Sequence, residues 1–353
     1  MRPRLKPVLR RVERDPRTLQ IGVHPLRAVV LADLEPPMRR VIDSLDGTRT
    51  LPEVIAASEL AEPVVRELLE RLMAHGLLDD ASAHPGLLAG LPSSERERLR
   101  PDLDALSLTS ADGGIGALRR RRSAQVRVHG AGRVGAQVVA LLAAAGVGHL
   151  CVVDPGTARR EDVVPGGLGW TEVGGSREAG AVAVARRLAP SVNAWPGQSA
   201  SRLGDGVRPD LVVLAPVEPL DPLLVRDLGT RRIPHLLVTA YERCGSVGPF
   251  VMPGVTPCLG CLDLIRRDRD PAWPAVRARL GGFPAGEIAC DTVLSTLVAA
   301  QAAGLALAYV DAGLVSNHTV DVMPDWRWRL RIWESHPECR CSRYATAKLT
   351  MVA

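Results

Sequence analysis

The spacing of apolar positions changes several times along the chain, and these changes divide it into segments. Thr18–Val23 and Ala28–Leu31 are short apolar runs on either side of the turn His24–Arg27, and both are expected as strands. Helical spacing then begins. Pro36–Leu45 forms the first pattern, stopped by Asp46 and Gly47. The second follows Thr50, with Glu53 three residues on as a capping-box partner and Pro52 early in the helix. The third runs from about Pro63 to His75, is expected to bury Val64, Val65, Leu68, Leu69, Leu72 and Met73, and ends at Gly76. Residues 1–84 therefore read as a small α+β domain with a winged-helix-like order of elements.

Periodicity fails over 85–124. PGLLAGLPSSERERLRPD is rich in proline, serine and charge, and ADGGIGALRRRRS ends in four arginines, so this segment reads as a linker with a solvated basic face. From 125 onward the pattern is that of an α/β fold. The run VRV enters a turn carrying Gly130, Gly132 and Gly135, a helix of small residues follows, and a second apolar run, LCVV, stops at Asp154. Such a Rossmann-like unit suits a nucleotide: glycines let backbone N–H groups approach phosphate at a helix N-terminus, Arg133 adds charge, and Asp154 is spaced to accept from a ribose. Pro209–Pro216 and Pro234–Ala240 fit further buried parallel strands around a helical 220–231.

Composition narrows the chemistry. Among 353 residues, 46% are hydrophobic but only 3% aromatic, so the core is aliphatic. The basic N-terminus has no apolar segment behind it, and no run of about eighteen uncharged apolar residues is read, so no membrane span and a cytoplasmic location are expected. A net charge of +5 is spread over the chain, and the third helix sets Glu67 and Glu70 beside Arg66 and Arg71, which argues against nucleic acid. The only lysines, Lys6 and Lys348, lie far from the glycine turn in sequence, which argues against lysine-dependent phosphate chemistry there. Seven cysteines without a secretory signal point to thiols or metal. Cys258-Leu-Gly-Cys261 and Cys339-Arg-Cys341 can each hold one edge of a tetrahedral structural zinc site, with His336 able to replace one sulfur. Cys151 falls mid-strand, Cys244 in a loop, and Cys290 at the start of an apolar helix, whose dipole would activate an accessible thiol, although burial is the commoner outcome for such a cysteine.

The glycine turn, AGVGHLCVVD at 145–154, PGVTPCLGC at 253–261, the Cys290 helix and the terminal CxC together resemble the ThiF/MoeB/HesA family, relatives of ubiquitin-activating enzymes, over 125–341. The resemblance implies a ThiF-type domain that adenylates a C-terminal carboxylate with Mg-ATP, often followed by sulfur linkage at a cysteine. The chain departs from the family's pattern where that chemistry needs charge. D-x-D becomes Asp154-Pro155-Gly156, Asp162 and Pro165 stand where Asn and Arg are expected, and Arg177 stands near the lysine position. After the strand at Asp210, Glu218 is the one acid left for magnesium. Nucleotide is expected to bind, if at all, through Gly130, Gly132, Arg133, Gly135, Asp154 and Arg177 without efficient turnover.

The first domain, through LDGTRTLPEVI at 45–55 and LLERLMAHGLL at 68–78, resembles PqqD-like RiPP recognition elements, which bind leader peptides of ribosomally made, modified peptides. In that family the leader adds as a strand and leans on the third helix, which nominates Leu19, Ile21, Val23, Val65, Leu69 and Leu72 as peptide contacts. The two domains together resemble the leader-binding partners of YcaO cyclodehydratases in thiazole/oxazole-modified microcin pathways. The competing expectation is an active adenylyltransferase in which Glu218 holds magnesium and Cys290 takes the acyl group. A nicotinamide-dependent dehydrogenase fits the glycine fingerprint but lacks an evident acid/base pair or substrate domain. ThiF-like relatives are commonly dimers, so a homodimer is expected.

Overall fold

The computed structural model describes residues 1–82, 90–197, 206–216, 220–279 and 289–341, and divides the chain into two compact units, Met1–Arg119 and Arg120–Ala353. The first contains β1 (Pro3–Leu5), β2 (Arg11–Asp15), β3 (Thr18–Ile21), β4 (Val29–Leu31), α1 (Pro36–Asp43), α2 (Leu51–Ala56), α3 (Glu62–Ala74), β5 (Leu78–Asp80) and α4 (Ser93–Ser107). Strands β2, β3 and β4 form an antiparallel sheet with β3 in the middle, and β1 pairs with β5. The expected cap is present: the Thr50 N–H and hydroxyl both donate to Glu53 Oε2, at 2.7 and 2.8 Å.

Val65, Leu68, Leu69 and Leu72 of α3 are buried as expected, in a core shared with Leu19, Ile21, Val41 and Ile42. Val64 and Met73 are not buried, being 39% and 46% exposed, because each lies one residue outside that inward stripe. The expected linker is also corrected. Its SSERERLRPDLDALS run forms α4, whose Leu99 is fully buried, and α5 (Ile115–Ser123) follows and carries the boundary between the units. Charge on the outer face of α4 hides a helical leucine spacing at 99, 103 and 106.

The second unit continues with β6 (Gln125–His129), α6 (Gly135–Ala144), β7 (His149–Val153), α7 (Arg177–Leu188), β8 (Asn193–Pro196), β9 (Leu211–Leu214), α8 (Pro222–Thr230), β10 (His235–Tyr241), β11 (Cys244–Val251), α9 (Leu259–Arg269), α10 (Trp273–Arg279), α11 (Thr292–Ala312), β12 (His318–Val322) and β13 (Trp328–Ile332). Its sheet runs β13-β12-β11-β10-β9-β6-β7-β8, parallel from β8 to β10 and antiparallel beyond. The chain leaves β6 toward β7 and β8, then returns to β9 on the other side of β6. That reversal makes the carboxyl ends of β6 and β9 the topological switch point of the sheet, where open α/β sheets hold their ligands.

The backbone closes tightly there. Gly130 has φ +94°, and a Cβ on it would lie 1.9 Å from the Ala215 carbonyl oxygen. One face of the sheet is packed by α6, α7 and α11, the other by α8 and α9. Helix α11 is long and apolar enough to cross a membrane, contrary to the expectation that no such stretch exists, yet Leu294, Val298, Ala299, Ala302, Ala303 and Ala306 are buried in the sheet core. Cys151 is buried within β7, whereas Cys244 opens β11 instead of lying in a loop.

Two histidines of this sheet are held neutral. Burial lowers His235 from 6.5 to about 4, against its Nδ1 contact with the Ile233 carbonyl at 2.9 Å. Burial, then the nearby Arg127 charge, lowers His129 to about 4 as well. A base with a depressed folded pKa contributes stability that is complete above its unfolded value and is lost as pH falls toward the folded one. The melting temperature should therefore fall as pH drops from 6.5 to 4, each pKa unit being worth about 1.4 kcal/mol. His235→Phe should flatten that slope in a calorimetric series, and an unchanged slope would show that His235 does not titrate on unfolding.

Candidate functional site

At this switch point the Asp154 carboxylate, 4% exposed, is turned onto the chain's own backbone. Its Oδ2 accepts from the Ala131 N–H at 2.6 Å and its Oδ1 from the Gly156 N–H at 2.7 Å, fixing the glycine loop to the end of β7. Arg177, the first residue of α7, lies beside it and is also buried. Its Nε donates to Asp162 Oδ2 at 2.9 Å and its Nη2 to Oδ1 at 3.3 Å, while Nη1 stands 3.9 Å from Asp154 Oδ1. A Cβ on Gly156 would lie 2.6 Å from Arg177 Nη1 and 2.9 Å from Asp154 Oδ1. The guanidinium thus fills the space into which a side chain at 156 would project.

Arg133 is similarly engaged: Nη2 donates to the Thr292 hydroxyl at 2.8 Å and Nη1 to the Glu161 carbonyl. It ties the loop to the start of α11. Gly130, Gly132 and Gly135 form the turn that the sequence predicts, with α6 starting at Gly135. Glu218 lies outside the described residues.

A second cluster gathers at the N-terminus of α9. The sulfurs of Cys258, Cys261, Cys339 and Cys341 all lie within 4.8 Å of one another, with pairs at 3.9, 3.5 and 3.4 Å. Four thiolates around a tetrahedral ion with bonds of about 2.3 Å would stand about 3.8 Å apart, so the set fits a metal ion. Four such thiols cannot all ionise without a cation. The hydrogen bond from Cys258 lowers Cys261 to about 4, the same bond and then burial push Cys258 up, and burial first, then the bond to Cys261, pushes Cys341 up to about 12. His336 is not a fifth candidate: its Nε2 meets Asp268 Oδ2 at 2.7 Å and its Nδ1 accepts from the Glu338 N–H.

Residues 105–314 match the ThiF family, more than half of the chain. The chain belongs to the ThiF family. No curated protein matches it. Among solved structures, Escherichia coli MccB with succinimide is similar at TM-score 0.74 and 14% identity, covering 97% of this chain and 99% of MccB. The microcin C7 biosynthetic enzyme MccB in complex with N-formylated MccA gives 0.72 and 13%, covering 97% and 100%. PaaA gives 0.67 and 17%, covering 93% and 99%. At these identities the likeness shows a shared fold over nearly the whole chain.

Within this ThiF-family fold several expected site residues take other roles. Arg177 was expected to meet nucleotide, but its guanidinium is spent on Asp162 and Asp154. The part played by Asp162 was missed, and the only signal for it was an acid standing where the family pattern has none. Cys290 stands just before Asp291, the N-cap of α11, and burial raises its thiol, in line with the commoner of the two outcomes; the opposing charge of Arg133 does not reverse this. Leu19, Ile21, Val65, Leu69 and Leu72 are core residues at 0–4% exposure, while Val23 is 60% exposed. Strand β3 is paired on both sides, so an added strand can meet only β2 or β4.

The two buried carboxylates depend on one cation. Arg177→Ala should cost about 3–5 kcal/mol of stability by leaving them uncompensated. Denaturant unfolding checks this, and a loss below about 1 kcal/mol, within the range of an exposed pair, would place the ion pair in solvent.

Proposed function

We propose that the chain binds the leader of a ribosomally made precursor peptide through its first unit and presents the peptide to a separate, ATP-using YcaO-type enzyme, its own ThiF domain serving as a scaffold without adenylation turnover. The observation that carries this reading is the Asp154–Arg177–Asp162 cluster: groups that would meet ribose and phosphate are satisfied within the protein. Phosphoryl chemistry rests on charge neutralisation at the transition state, and a guanidinium held by two carboxylates has little left for an incoming phosphate. The likeness to MccB, a biosynthetic enzyme solved with N-formylated MccA and also with ATP, supports peptide handling and favours adenylation as the second reading.

The leader adds at β4, an apolar edge whose Val29 and Leu31 pack on the core that also holds α3, with Val30 outward at 42% exposure. The other edge, β2, reads Arg-Val-Glu-Arg-Asp and is exposed throughout, a charged edge that resists pairing. In calorimetry on the full chain, Val30→Asp should weaken binding of the cognate leader at least tenfold, and pyrophosphate exchange should stay at background with or without leader. Leader-stimulated exchange would establish the adenylyltransferase instead, and binding indifferent to Val30→Asp would remove β4 as the site.

The ion held by Cys258, Cys261, Cys339 and Cys341 is zinc in this reading, because an all-thiolate tetrahedral set suits zinc and closes the site to catalysis. It would fasten the C-terminal segment to α9. Elemental analysis should give about one zinc per chain, lost in Cys258→Ser/Cys261→Ser together with stability. Full zinc content in that variant would place the metal elsewhere.

A further inference from the structure

The free edge of β4 carries opposite charges at its two ends. Arg27 stands two residues before the strand, Asp33 and Glu35 follow it, and all three are exposed. The residues between Arg27 and Asp33, Ala-Val-Val-Leu-Ala, are all apolar. Asp33 has φ +54°, in the left-handed region that aspartate tolerates better than most residues, so the chain turns directly after the strand and both acids stand at its end. Among the described residues neither carboxylate takes a hydrogen bond or an ion pair. On α3, by contrast, the charges cancel in pairs, Glu62 with Arg66 and Glu67 with Arg71.

Arg27 is held in place without being neutralised. Its Nη2 donates to the Leu108 carbonyl at 2.9 Å, in the turn that ends α4. A Cβ on Gly76, just past α3, would stand 3.8 Å from the same oxygen, so the guanidinium lies at the end of α3 as well as at the start of β4. Other arginines of this unit meet carboxylates instead: Arg4 takes both oxygens of Asp79 at 3.0 Å, Arg39 pairs with Glu13 and Asp43, and Arg40 pairs with Glu59. The end of α4 has a second cation, because Lys6, 3% exposed, donates from Nζ to the Ser110 carbonyl at 3.1 Å. Cations are favoured at such a helix end, and Lys6 already answers the carbonyls there. Arg27 therefore keeps its charge, and most of its N–H donors, for a ligand.

We propose that Arg27 determines which peptide segment the β4 edge accepts: an extended, mainly apolar stretch with a basic residue at its N-terminal end and an acidic residue about six positions later, the acid meeting Arg27 and the base meeting Asp33 and Glu35. This rests on leader binding at β4. The sheet β2–β3–β4 is antiparallel, and antiparallel pairing gives the more stable ladder, so the added strand runs against β4 and its C-terminal end lies at Arg27. The spacing follows from one residue facing one along the edge from Arg27 to Asp33. Charge is needed to fix the register, because a slip of two residues returns apolar side chains to the same face and leaves a short apolar edge indifferent. The same slip draws both charged residues away from their partners. Reversing the strand sets acid against acid and base against Arg27.

Two synthetic peptides of one composition, with blocked termini, test the polarity: Lys-Val-Thr-Val-Thr-Val-Glu, and the same chain with Lys and Glu exchanged. In fluorescence anisotropy on the full-length protein the first should bind about fivefold more tightly, the order of what two exposed ion pairs contribute. Arg27→Gln, which can still donate to Leu108, should abolish the preference, and Arg27→Glu should reverse it. Asp33→Asn with Glu35→Gln, or salt of about 0.5 M, should narrow it. Equal or absent binding of the two peptides, or a preference that Arg27→Glu leaves unchanged, overturns the proposal. The cognate leader, titrated in parallel, separates this from the reading beneath it. A leader that binds wild type and Arg27→Glu alike but is lost in Val30→Asp overturns the charge register while leader binding at β4 stands; a leader that does not bind wild type removes both.

Discussion

A carboxylate buried at the reversal of strand order sets the terms for the second unit. Asp154 holds the glycine loop through two backbone N–H groups and so fixes where α6 begins. A buried anion must be balanced, and the balance comes from Arg177 on the first turn of α7. That is an unfavourable place for a cation, since the positive end of the helix dipole points at it. The position becomes tolerable because Asp162 supplies a second carboxylate, which also caps the short turn at 160–162 through the Arg159 N–H at 2.8 Å. A phosphate at the same helix terminus would have needed no such compensation. Three of the residues at which this chain departs from the charge pattern its resemblance implies are thus one coupled set: Gly156 leaves room, Arg177 fills it, and Asp162 holds Arg177 there.

Features encoded by short spacing were legible in the sequence. The Thr50–Glu53 cap and each cysteine pair depend on residues within one turn of each other, and the glycine turn and Asp154 are joined by a single strand–helix–strand unit of regular spacing. The union of the two cysteine pairs across some eighty residues was legible only because each pair already has the bite of a metal edge. What depends on which way a side chain turns was not legible. Periodicity in residues 18–23 and 63–75 marks an inward face, and in a small two-layer domain the inward face is the core, so Leu19, Ile21, Val65, Leu69 and Leu72 are packed away. Residues out of phase with the stripe, such as Val30 and Val64, are the ones left exposed. Helix α4 escaped because charged residues dominate its exposed face and Pro101 interrupts its pattern.

Hydropathy alone cannot assign α11, since a helix apolar all round fits a membrane, a core or an interface equally well. Burial separates the cases: one side of α11 enters the sheet core, and the other is small and bare. The C-terminal strands complete the reasoning. Strand β13 is drawn down on its basic side by Asp321, by the bond from Trp333 Nε1 to Thr319 at 2.8 Å, and beyond it by the four cysteines at α9. Once that side is fixed, a strand of alternating character has no freedom to hide its apolar residues, because a rotation that buried Leu330 would expose Asp321 without its arginine. The polar anchoring on one face of the sheet is therefore what keeps the other face apolar and open.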